Sequence, residues 1–199
     1  MYDAIRPAMI SDERPIKLRD RRKLCENTVF NVYLDNLLDI GGAEIRDYLV
    51  VEPKQQTRDL VTGVSVLPFL DGRAALLRVY RHAVARFIWE VPRGFVGAGE
   101  SDEQAAEREL EEESGLGIHP GGLRSLGYIA PEAGLLAARV HLFAAEKCFQ
   151  KRAYWPAEFG HRGLQWFALD ELMDLAERSE IEDPSTLVTL YRCVSARKP

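Results

Sequence analysis

The sequence crowds acidic side chains into residues 94–116, which read GFVGAGESDEQAAERELEEESGL and hold eight carboxylates in 23 positions. On a helix, Glu109, Glu112 and Glu113 would share one face, because residues three and four apart are neighbours on its surface. Like charges so placed destabilise a helix by roughly 0.2–0.5 kcal/mol per pair. A hard divalent cation such as Mg²⁺ or Mn²⁺ would offset this repulsion, since these ions prefer carboxylate oxygens.

The same segment carries helix signals at both of its ends. Ser101, followed three residues later by Gln104, predicts a capping box, and Gly115 supplies the residue at which a helix stops. Arg108 lies between them, where its guanidinium can hold one carboxylate through a bidentate pair. A glutamate-rich helix face is also a common solvated surface, so periodicity alone leaves both interpretations open.

The segments before this helix predict β structure. Residues 28–53 read as two strands about a Gly41–Gly42 turn, and residues 63–81 read as two more about Asp71–Gly72. Both dipeptides are turn signals between β-rich runs. The run FIWEVPR continues as a short strand that must end at Pro92, because proline has no N–H for a central ladder.

The segments after the helix predict three more strands and two terminal helices. The apolar runs LRSLGYIA, ARVHLFAAE and LQWFAL suit strands. One helix is predicted from Asp170 as N-cap to about Arg178, and another from Asp183 as N-cap with Pro184 in its first turn. This order of elements predicts an α+β domain or a layered α/β/α domain.

The composition predicts one globular domain with at most a small appendage, because 199 residues with 46% hydrophobic content suffice for a substantial core. A net charge of −5 leaves no basic footprint for nucleic acid, so a phosphate ligand needs local cations or a metal. No leader-like start and no membrane-length apolar run is visible, and we expect a cytoplasmic protein with no membrane partner. Cys25, Cys148 and Cys193 lack paired spacing and are interpreted as ordinary thiols.

The acidic segment resembles the Nudix box, the signature G-x5-E-x7-R-E-U-x-E-E-x-G-U in which U is aliphatic. Every defined position matches: Gly94, Glu100, Arg108–Glu109–Leu110, Glu112–Glu113 and Gly115–Leu116. Nine defined positions within 23 residues make this match specific. The resemblance implies a hydrolase that cleaves a nucleoside diphosphate linked to another moiety.

The resemblance also implies roles for the residues of the box. Glu109, Glu112 and Glu113 would bind Mg²⁺, for which Mn²⁺ can substitute, and the backbone carbonyl of Arg93 would be a further ligand. Arg108 would orient one of the carboxylates. Glu112, Glu113 and Arg108 are therefore assigned to catalysis, together with a glutamate from a later loop.

Four further stretches, RDYLVVEP, LLRVYRHAV, WEVPRG and DPSTLVTLY, resemble the ADP-ribose pyrophosphatase group of the Nudix hydrolases. That group often has a proline fifteen residues past the box, here Pro131, although Glu132 stands where a Pro-Gly pair is usual. Arg81 corresponds to an arginine that meets substrate phosphates or ribose, with a surface salt bridge as its alternative role. Glu132 is a second candidate for contact with the substrate.

The resemblance places the catalytic base in a loop before the last strand. Glu158 is the nearest candidate and Glu132 is the substitute, although the usual spacing falls on Gly160. The four histidines share no ligand spacing and are interpreted as surface or internally satisfied residues, of which His161 lies in that loop. Aromatic residues such as Trp155 can stack on an adenine ring, but core packing is their commoner role.

The resemblance divides the chain into residues 1–58, an N-terminal arm with a small β subdomain, and residues 59–199, the Nudix hydrolase domain. The expected fold is an α/β/α sandwich with a mixed β-sheet, and the small subdomain implies a homodimer. The expected reaction is hydrolysis of the pyrophosphate bond of ADP-ribose or a related nucleoside diphosphate sugar. A hydrolase of GDP-mannose or NADH, and a sensor that binds such compounds without cleaving them, are the alternatives.

Overall fold

A computed structural model describes residues 15–55, 58–156 and 158–196. The chain divides into two compact units between Glu52 and Pro53. The first unit is a three-stranded sheet in the order β1-β2-β3. Its strands are β1 Ile16–Glu26, β2 Phe30–Asp39 and β3 Glu44–Pro53.

Most of the predicted N-terminal arm that the structure describes is strand β1, paired antiparallel with β2, while residues 1–14 lie outside the described part. Every residue of β1 is exposed, so backbone pairing and cross-strand ion pairs hold the strand rather than a core. Arg21 makes two bonds of 2.8 Å to the Asp35 carboxylate on β2. The predicted Gly41–Gly42 turn joins β2 to β3, and Gly42 has a φ of 86° there.

The second unit is built on a seven-stranded mixed sheet. Five strands follow the order β12-β5-β4-β10-β9, with β6 paired to β5 and β7 paired to β4. Only β10 and β4 pair in parallel among the pairings described for this sheet. The strands of the unit are β4 Val61–Leu70, β5 Arg73–Arg81, β6 Arg86–Glu90, β7 Arg93–Phe95, β8 Leu116–Ile118, β9 Leu123–Ile129, β10 Arg139–Ala145, β11 Cys148–Gln150 and β12 His161–Phe167.

Two short 3-10 turns and a separate two-stranded sheet complete this unit. The turns cover Arg58–Leu60 and His82–Val84. Strand β8 pairs antiparallel with β11 apart from the main sheet. These connections leave the main sheet free to be covered by helices on its two faces.

Pro92 ends the strand that begins at Arg86, as the sequence predicts. Strand β6 stops at Glu90 on β5, and β7 begins at Arg93 on β4, so the proline lies where the chain changes partners. The backbone N–H of Val66 donates to the Pro92 carbonyl over 2.9 Å. This crossover brings Arg93 beside the acidic helix.

Helix α1, Asp102–Ser114, has both of its predicted ends. The Ser101 hydroxyl accepts from the N–H of Gln104 over 3.2 Å, and the Gln104 side chain accepts from the N–H of Ser101 over 2.9 Å. Gly115 closes the helix with a φ of 74°, which glycine adopts at no steric cost. The backbone signals in the sequence therefore located this helix correctly.

The remaining helices are α2 Leu169–Glu177 and α3 Pro184–Ser195. Asp183 caps α3 as predicted, since its carboxylate accepts from the N–H of Thr186 over 2.8 Å. The predicted N-cap at Asp170 is wrong: Ala168 is the N-cap of α2, and Asp170 is inside the helix. The Glu171 carboxylate accepts from the N–H of Ala168 over 2.7 Å and so satisfies this end without a capping side chain.

The helices cover the sheet from both faces, which gives the expected α/β/α sandwich. On β4, Val64 and Val66 face the cluster beneath α1, whereas Leu67 and Phe69 face the cluster beneath α2 and α3. This alternation follows from the two-residue period of a strand buried on both sides. No helix among the described residues combines the length and the apolar character that a membrane span requires.

Candidate active site

Helix α1 presses its acidic face against the backbone of β7. The Glu109 carboxylate is so close to Gly94 that a Cβ atom on this glycine would lie 2.0 Å from Glu109 Oε1. Glu109 is buried, and this burial is the largest cause that raises the pKa of its carboxyl. Gly94 is therefore the residue that admits a buried carboxylate to this place.

Arg108 holds the carboxylates on one side of the helix in fixed positions. Its guanidinium donates to both oxygens of Glu100 over 2.9 and 3.0 Å, to Glu109 over 2.7 Å and to Glu112 over 3.0 Å. A further bond of 2.9 Å to the Phe95 carbonyl fixes the guanidinium to β7. The hydrogen bond with Arg108 lowers the pKa of Glu100, so Glu100 serves as the anchor of this arginine.

Glu113 lies at the other end of the acidic face and is buried. Its Oε2 accepts from the backbone N–H of Arg93 over 2.7 Å. Burial is the largest cause that raises its pKa, to about 9, and the charges of Glu158 and Glu109 act in the same direction. Glu113 is therefore a buried carboxyl close to other carboxylates. A divalent cation bound there would stabilise its ionised form.

The loop between β11 and β12 brings two more groups to Glu113. His161 Nε2 lies 3.4 Å from Glu113 Oε1 and 3.7 Å from Glu158 Oε2. The His161 side chain is 4% exposed, whereas that of Glu158 is 51% exposed. Burial, the largest cause, lowers the pKa of His161. Ligand atoms of Glu113, Glu158 and His161 all lie within 4.8 Å of one another.

Backbone contacts fix this loop at both ends. At its start, the N–H groups of Lys151 and Arg152 donate to the Gly115 carbonyl over 3.0 and 2.9 Å, and the Arg152 guanidinium binds the last carbonyls of α1. At its end, Gly160 has a φ of 89° and a Cβ atom there would lie 2.7 Å from the Tyr80 carbonyl oxygen. A glutamate does not fit at position 160, and the structure places Glu158 at the acidic cluster instead.

Two arginines form a buried ion-pair network next to Glu113. Arg81 donates two bonds to the Glu90 carboxylate, which is 1% exposed, and this hydrogen bonding raises the pKa of Arg81. Arg93 bonds to Glu90 over 2.9 Å and to Asp183 over 2.7 Å. The alternative role predicted for Arg81, a salt bridge, is thus present, while its side chain stays 40% exposed. Contact with substrate stays a prediction.

Glu132 lies outside the cluster that the described residues form around Glu113. It is exposed in the turn between β9 and β10, where its backbone carbonyl accepts from Leu135 and Leu136. The remaining predicted groups form two sets of contacts on the same helix face: Arg108 holds Glu109 and Glu112, while Glu113 bonds to the N–H of Arg93 and lies with Glu158 at His161. Glu158 thus lies beside Glu113 and Glu132 does not, while the choice of the catalytic base stays a prediction.

The interpretation of the histidines as internally satisfied holds for His141, and His161 lies in the predicted catalytic loop, where it meets the acidic cluster. His141 bonds to Ser125 over 2.7 Å and to Asp102 over 2.8 Å, so it is satisfied inside the fold. His161 instead faces two carboxylates of the site. Its only sequence signal was its place three residues after Glu158, because no ligand spacing links it to the box.

The donor set fits a divalent cation. Ligand atoms of Glu113, Glu158 and His161 lie within 4.8 Å of one another, and Glu109 and Glu112 of the same helix share the Arg108 guanidinium. The network of Arg81 and Arg93 supplies positive charge that can meet phosphate oxygens. In addition, the buried Tyr154 hydroxyl has no hydrogen-bond partner among the described residues, and its pKa is raised by burial and, to a lesser extent, by the charge of Glu113. An unsatisfied hydroxyl beside an acidic cluster is typical of a site that receives a ligand.

Comparisons with known proteins agree with this geometry. The chain is 30% identical over 149 residues to an ADP-ribose pyrophosphatase of Bacillus subtilis, covering 71% of this chain and 78% of that protein. It is 28% identical over 156 residues to a CMP-5'-(N-acetyl-N-hydroxy-3-aminopropyl)phosphonate hydrolase of Streptomyces rubellomurinus, covering 75% of this chain and 68% of that protein.

A solved structure has a similar fold. The crystal structure of an ADP compounds hydrolase superposes with a TM-score of 0.76 and 18% identity, covering 92% of this chain and 94% of the other. The family model of the NUDIX domain matches residues 59–188. The chain therefore belongs to the Nudix family, as a pyrophosphohydrolase of the ADP-ribose pyrophosphatase-like branch.

Proposed function

We propose that the protein hydrolyses the pyrophosphate bond of ADP-ribose or a related nucleoside diphosphate sugar, giving a nucleoside monophosphate and a sugar phosphate. The observation that carries the proposal is the burial of Glu109 and Glu113 on one helix face, held by Arg108 and by the N–H of Arg93. The relative from Bacillus subtilis, named an ADP-ribose pyrophosphatase, supports this choice of substrate class.

The reaction depends on Mg²⁺ or Mn²⁺ in this proposal. Glu109, Glu112, Glu113 and the backbone carbonyl of Arg93 would hold the cations. Bound there, a divalent cation neutralises phosphoanhydride oxygens and lowers the pKa of a bound water. Arg108 bonds to the half-exposed carboxylate of Glu112 and to the buried carboxylate of Glu109, which holds these two proposed ligands side by side.

Glu158 is proposed as the base or water-orienting group. It lies next to Glu113 and His161, and its half-exposed side chain has access to solvent, from which the attacking water comes. A base must lie within hydrogen-bond reach of that water, and the position of Glu158 beside Glu113 supports this choice. Glu132 stays the substitute candidate for the base and a candidate for contact with the substrate.

Arg81 is proposed to contact the phosphates or ribose of the substrate. Glu90 holds its guanidinium by two bonds, and Asp183 and Glu90 hold Arg93 beside it. A guanidinium fixed in this way loses little side-chain entropy when it meets a phosphate. The 40% exposure of the Arg81 side chain leaves donors open to solvent for this contact.

We also propose that the protein is a cytoplasmic homodimer, with residues 1–58 as the dimerisation part and residues 59–199 as the catalytic domain. The first unit supports this proposal because its strands leave large apolar side chains exposed, among them Ile16, Leu18, Leu24, Ile45 and Leu49. Such residues are buried when a second copy covers them. Light scattering over a dilution series measures the mass; a monomer at micromolar concentration would contradict the proposal.

A panel of nucleoside diphosphate derivatives tests the proposed activity. ADP-ribose, GDP-mannose and NADH are incubated with Mg²⁺ or Mn²⁺, products are measured by phosphatase-coupled phosphate release, and mass spectrometry in ¹⁸O water identifies the attacked phosphorus. We expect ADP-ribose or a similar sugar to have the highest kcat/KM. A higher kcat/KM for GDP-mannose or NADH would make that compound the substrate instead. Tight binding without turnover would indicate a sensor.

The matched variant is Glu113→Gln, which keeps the size of the side chain and removes its ability to form the carboxylate that would bind a cation. We expect turnover to fall by several orders of magnitude while the circular dichroism spectrum is unchanged. A variant with full activity would refute the assignment of Glu113 as a metal ligand. Glu107→Gln, an exposed position of the same helix, serves as the control that keeps activity.

A further inference from the structure

The distances from His161 to the two carboxylates of the acidic cluster are not those of a simple ion pair. Its imidazole is 4% exposed, with Nε2 lying 3.4 Å from Glu113 Oε1 and 3.7 Å from Glu158 Oε2. Nitrogen and oxygen atoms joined by a charged hydrogen bond lie about 2.7–2.9 Å apart. Both observed distances are longer than this, so the imidazole approaches two carboxylates without bonding closely to either.

The distances suit three ligands of one cation. Atoms bound to the same ion at about 2.1 Å lie about 3.0 Å apart when adjacent and about 4.2 Å apart when opposite in an octahedral site. The two distances from His161 Nε2 lie between these limits, and the oxygens of Glu113 and Glu158 lie within 4.8 Å of each other. Little movement is therefore needed for the three groups to close on one ion.

The backbone holds this arrangement in place. The N–H of His161 donates to the Glu158 carbonyl over 3.2 Å, which closes the turn that carries both side chains. Tyr80 then fixes the turn to strand β5, because its N–H donates to the Gly160 carbonyl over 2.8 Å. Ligands on a turn that is fixed to a sheet are preorganised, which favours ligand binding.

We propose that His161 supplies a nitrogen ligand, with Glu113 and one oxygen of Glu158, to a cation position that prefers Mn²⁺ or a later first-row transition metal to Mg²⁺, which leaves the second Glu158 oxygen for the attacking water. This inference rests on the proposed function, since it specifies the metal chemistry of the same site. Imidazole suits the first-row transition metals, whereas Mg²⁺ takes oxygen ligands. One nitrogen in an otherwise carboxylate site therefore shifts the preference away from Mg²⁺.

Mn²⁺ itself is the probe, because its electron spin detects a directly bound nitrogen. The full-length protein is titrated with one equivalent of Mn²⁺ without substrate, and pulsed electron paramagnetic resonance records the coupling to ¹⁴N. We expect a histidine ¹⁴N coupling in the wild-type protein and its loss in His161→Gln. The control His119→Gln changes an exposed histidine of the β8–β9 turn and keeps the coupling.

Calorimetric titration of the same variants with Mn²⁺ and with Mg²⁺ measures the preference between the two cations. We expect His161→Gln to weaken Mn²⁺ binding about 10–100-fold and to leave Mg²⁺ binding nearly unchanged. Bound Mn²⁺ without ¹⁴N coupling in the wild-type protein would overturn the inference even if His161→Gln failed to fold. A coupling that persists in a folded His161→Gln would overturn it as well.

Hydrolysis with Mg²⁺ separates this inference from the proposed function. Turnover of the nucleotide panel together with a wild-type Mn²⁺ spectrum lacking ¹⁴N would overturn the role of His161 and leave the hydrolase intact. A ¹⁴N coupling without turnover of any panel compound would support the ligand and contradict the proposed activity.

Discussion

The carboxylate of Glu109 occupies the space that a Cβ atom on Gly94 would need, with Glu109 Oε1 2.0 Å from that position. Any side chain at position 94, the glycine at the start of the box, would therefore clash with the glutamate fifteen residues later. Arg108 prevents the carboxylate from moving away freely, because it bonds to the same oxygen over 2.7 Å. The absence of a side chain at Gly94 and the position of the proposed metal ligand Glu109 are therefore coupled.

Gly94→Ala is expected to displace the Glu109 carboxylate and reduce kcat/KM about 100-fold, the effect of moving a catalytic group by about 1 Å. Overpacking would also lower the free energy of unfolding by about 1–3 kcal/mol. Steady-state kinetics and urea denaturation measure the two effects. Gly163→Ala is the control, since a Cβ atom there meets open space. Equal activity of the two variants would contradict the steric coupling.

Arg108→Lys should impair the site although it keeps the positive charge. A lysine cannot reproduce the fork that contacts Glu100 with two bonds and also reaches Glu109, Glu112 and the Phe95 carbonyl. We expect a loss of about 1–3 kcal/mol in unfolding free energy and a clear fall in kcat. Arg178→Lys, at an exposed pair with Glu180, should change stability by less than about 0.5 kcal/mol. Wild-type kcat in Arg108→Lys would refute this role.

Glu100 makes the stability dependent on pH. Its hydrogen bonds with Arg108 lower its pKa in the folded state, so its contribution is present above the unfolded pKa of about 4.3 and is lost as the pH falls through the folded value. Urea denaturation should therefore show Glu100→Gln less stable than the wild type at pH 7, with the difference shrinking below about pH 4. A difference that grows on acidification would contradict the assignment. Glu107→Gln, an exposed position, should show little pH-dependent difference.

Glu158→Gln and Glu132→Gln separate the two candidates for the base. Loss of general base catalysis reduces kcat about 10²–10⁴-fold, and we expect this fall for Glu158→Gln alone. Its kcat should also lose the acid limb of the pH profile, which a purely structural change would leave in place. Should Glu132→Gln suffer the greater loss, the base would have to be reassigned to the β9–β10 turn.

The buried thiols should be protected from modification. Burial raises the pKa of Cys148 to about 11, and Cys193 is buried as well. In a Cys25→Ser variant, which removes the exposed thiol, we expect no reaction with Ellman's reagent at pH 8 in the folded state. Two equivalents should react in urea. Rapid labelling of the folded variant would show that strand β11 or helix α3 opens readily.

The local part of the structure could be predicted from the sequence. The capping box at Ser101, the stop at Gly115 and the shared face of Glu109 and Glu113 depend on residues a few positions apart, which helix geometry relates directly. The end of β6 before Pro92 is local for the same reason, because proline lacks a donor. The N-cap of α2 was missed because Asp170 suits either the cap or the first turn of a helix.

Only the tertiary structure decided how distant segments complete the site. The register of β12 on β5, with Gly160 against Tyr80, places Glu158 and His161 at Glu113, and no spacing in the sequence encodes that meeting. The pairing of Arg81 with Glu90 likewise depends on the register of β5 and β6. Helix periodicity is a property of the local backbone, whereas these contacts depend on packing between segments far apart in the chain.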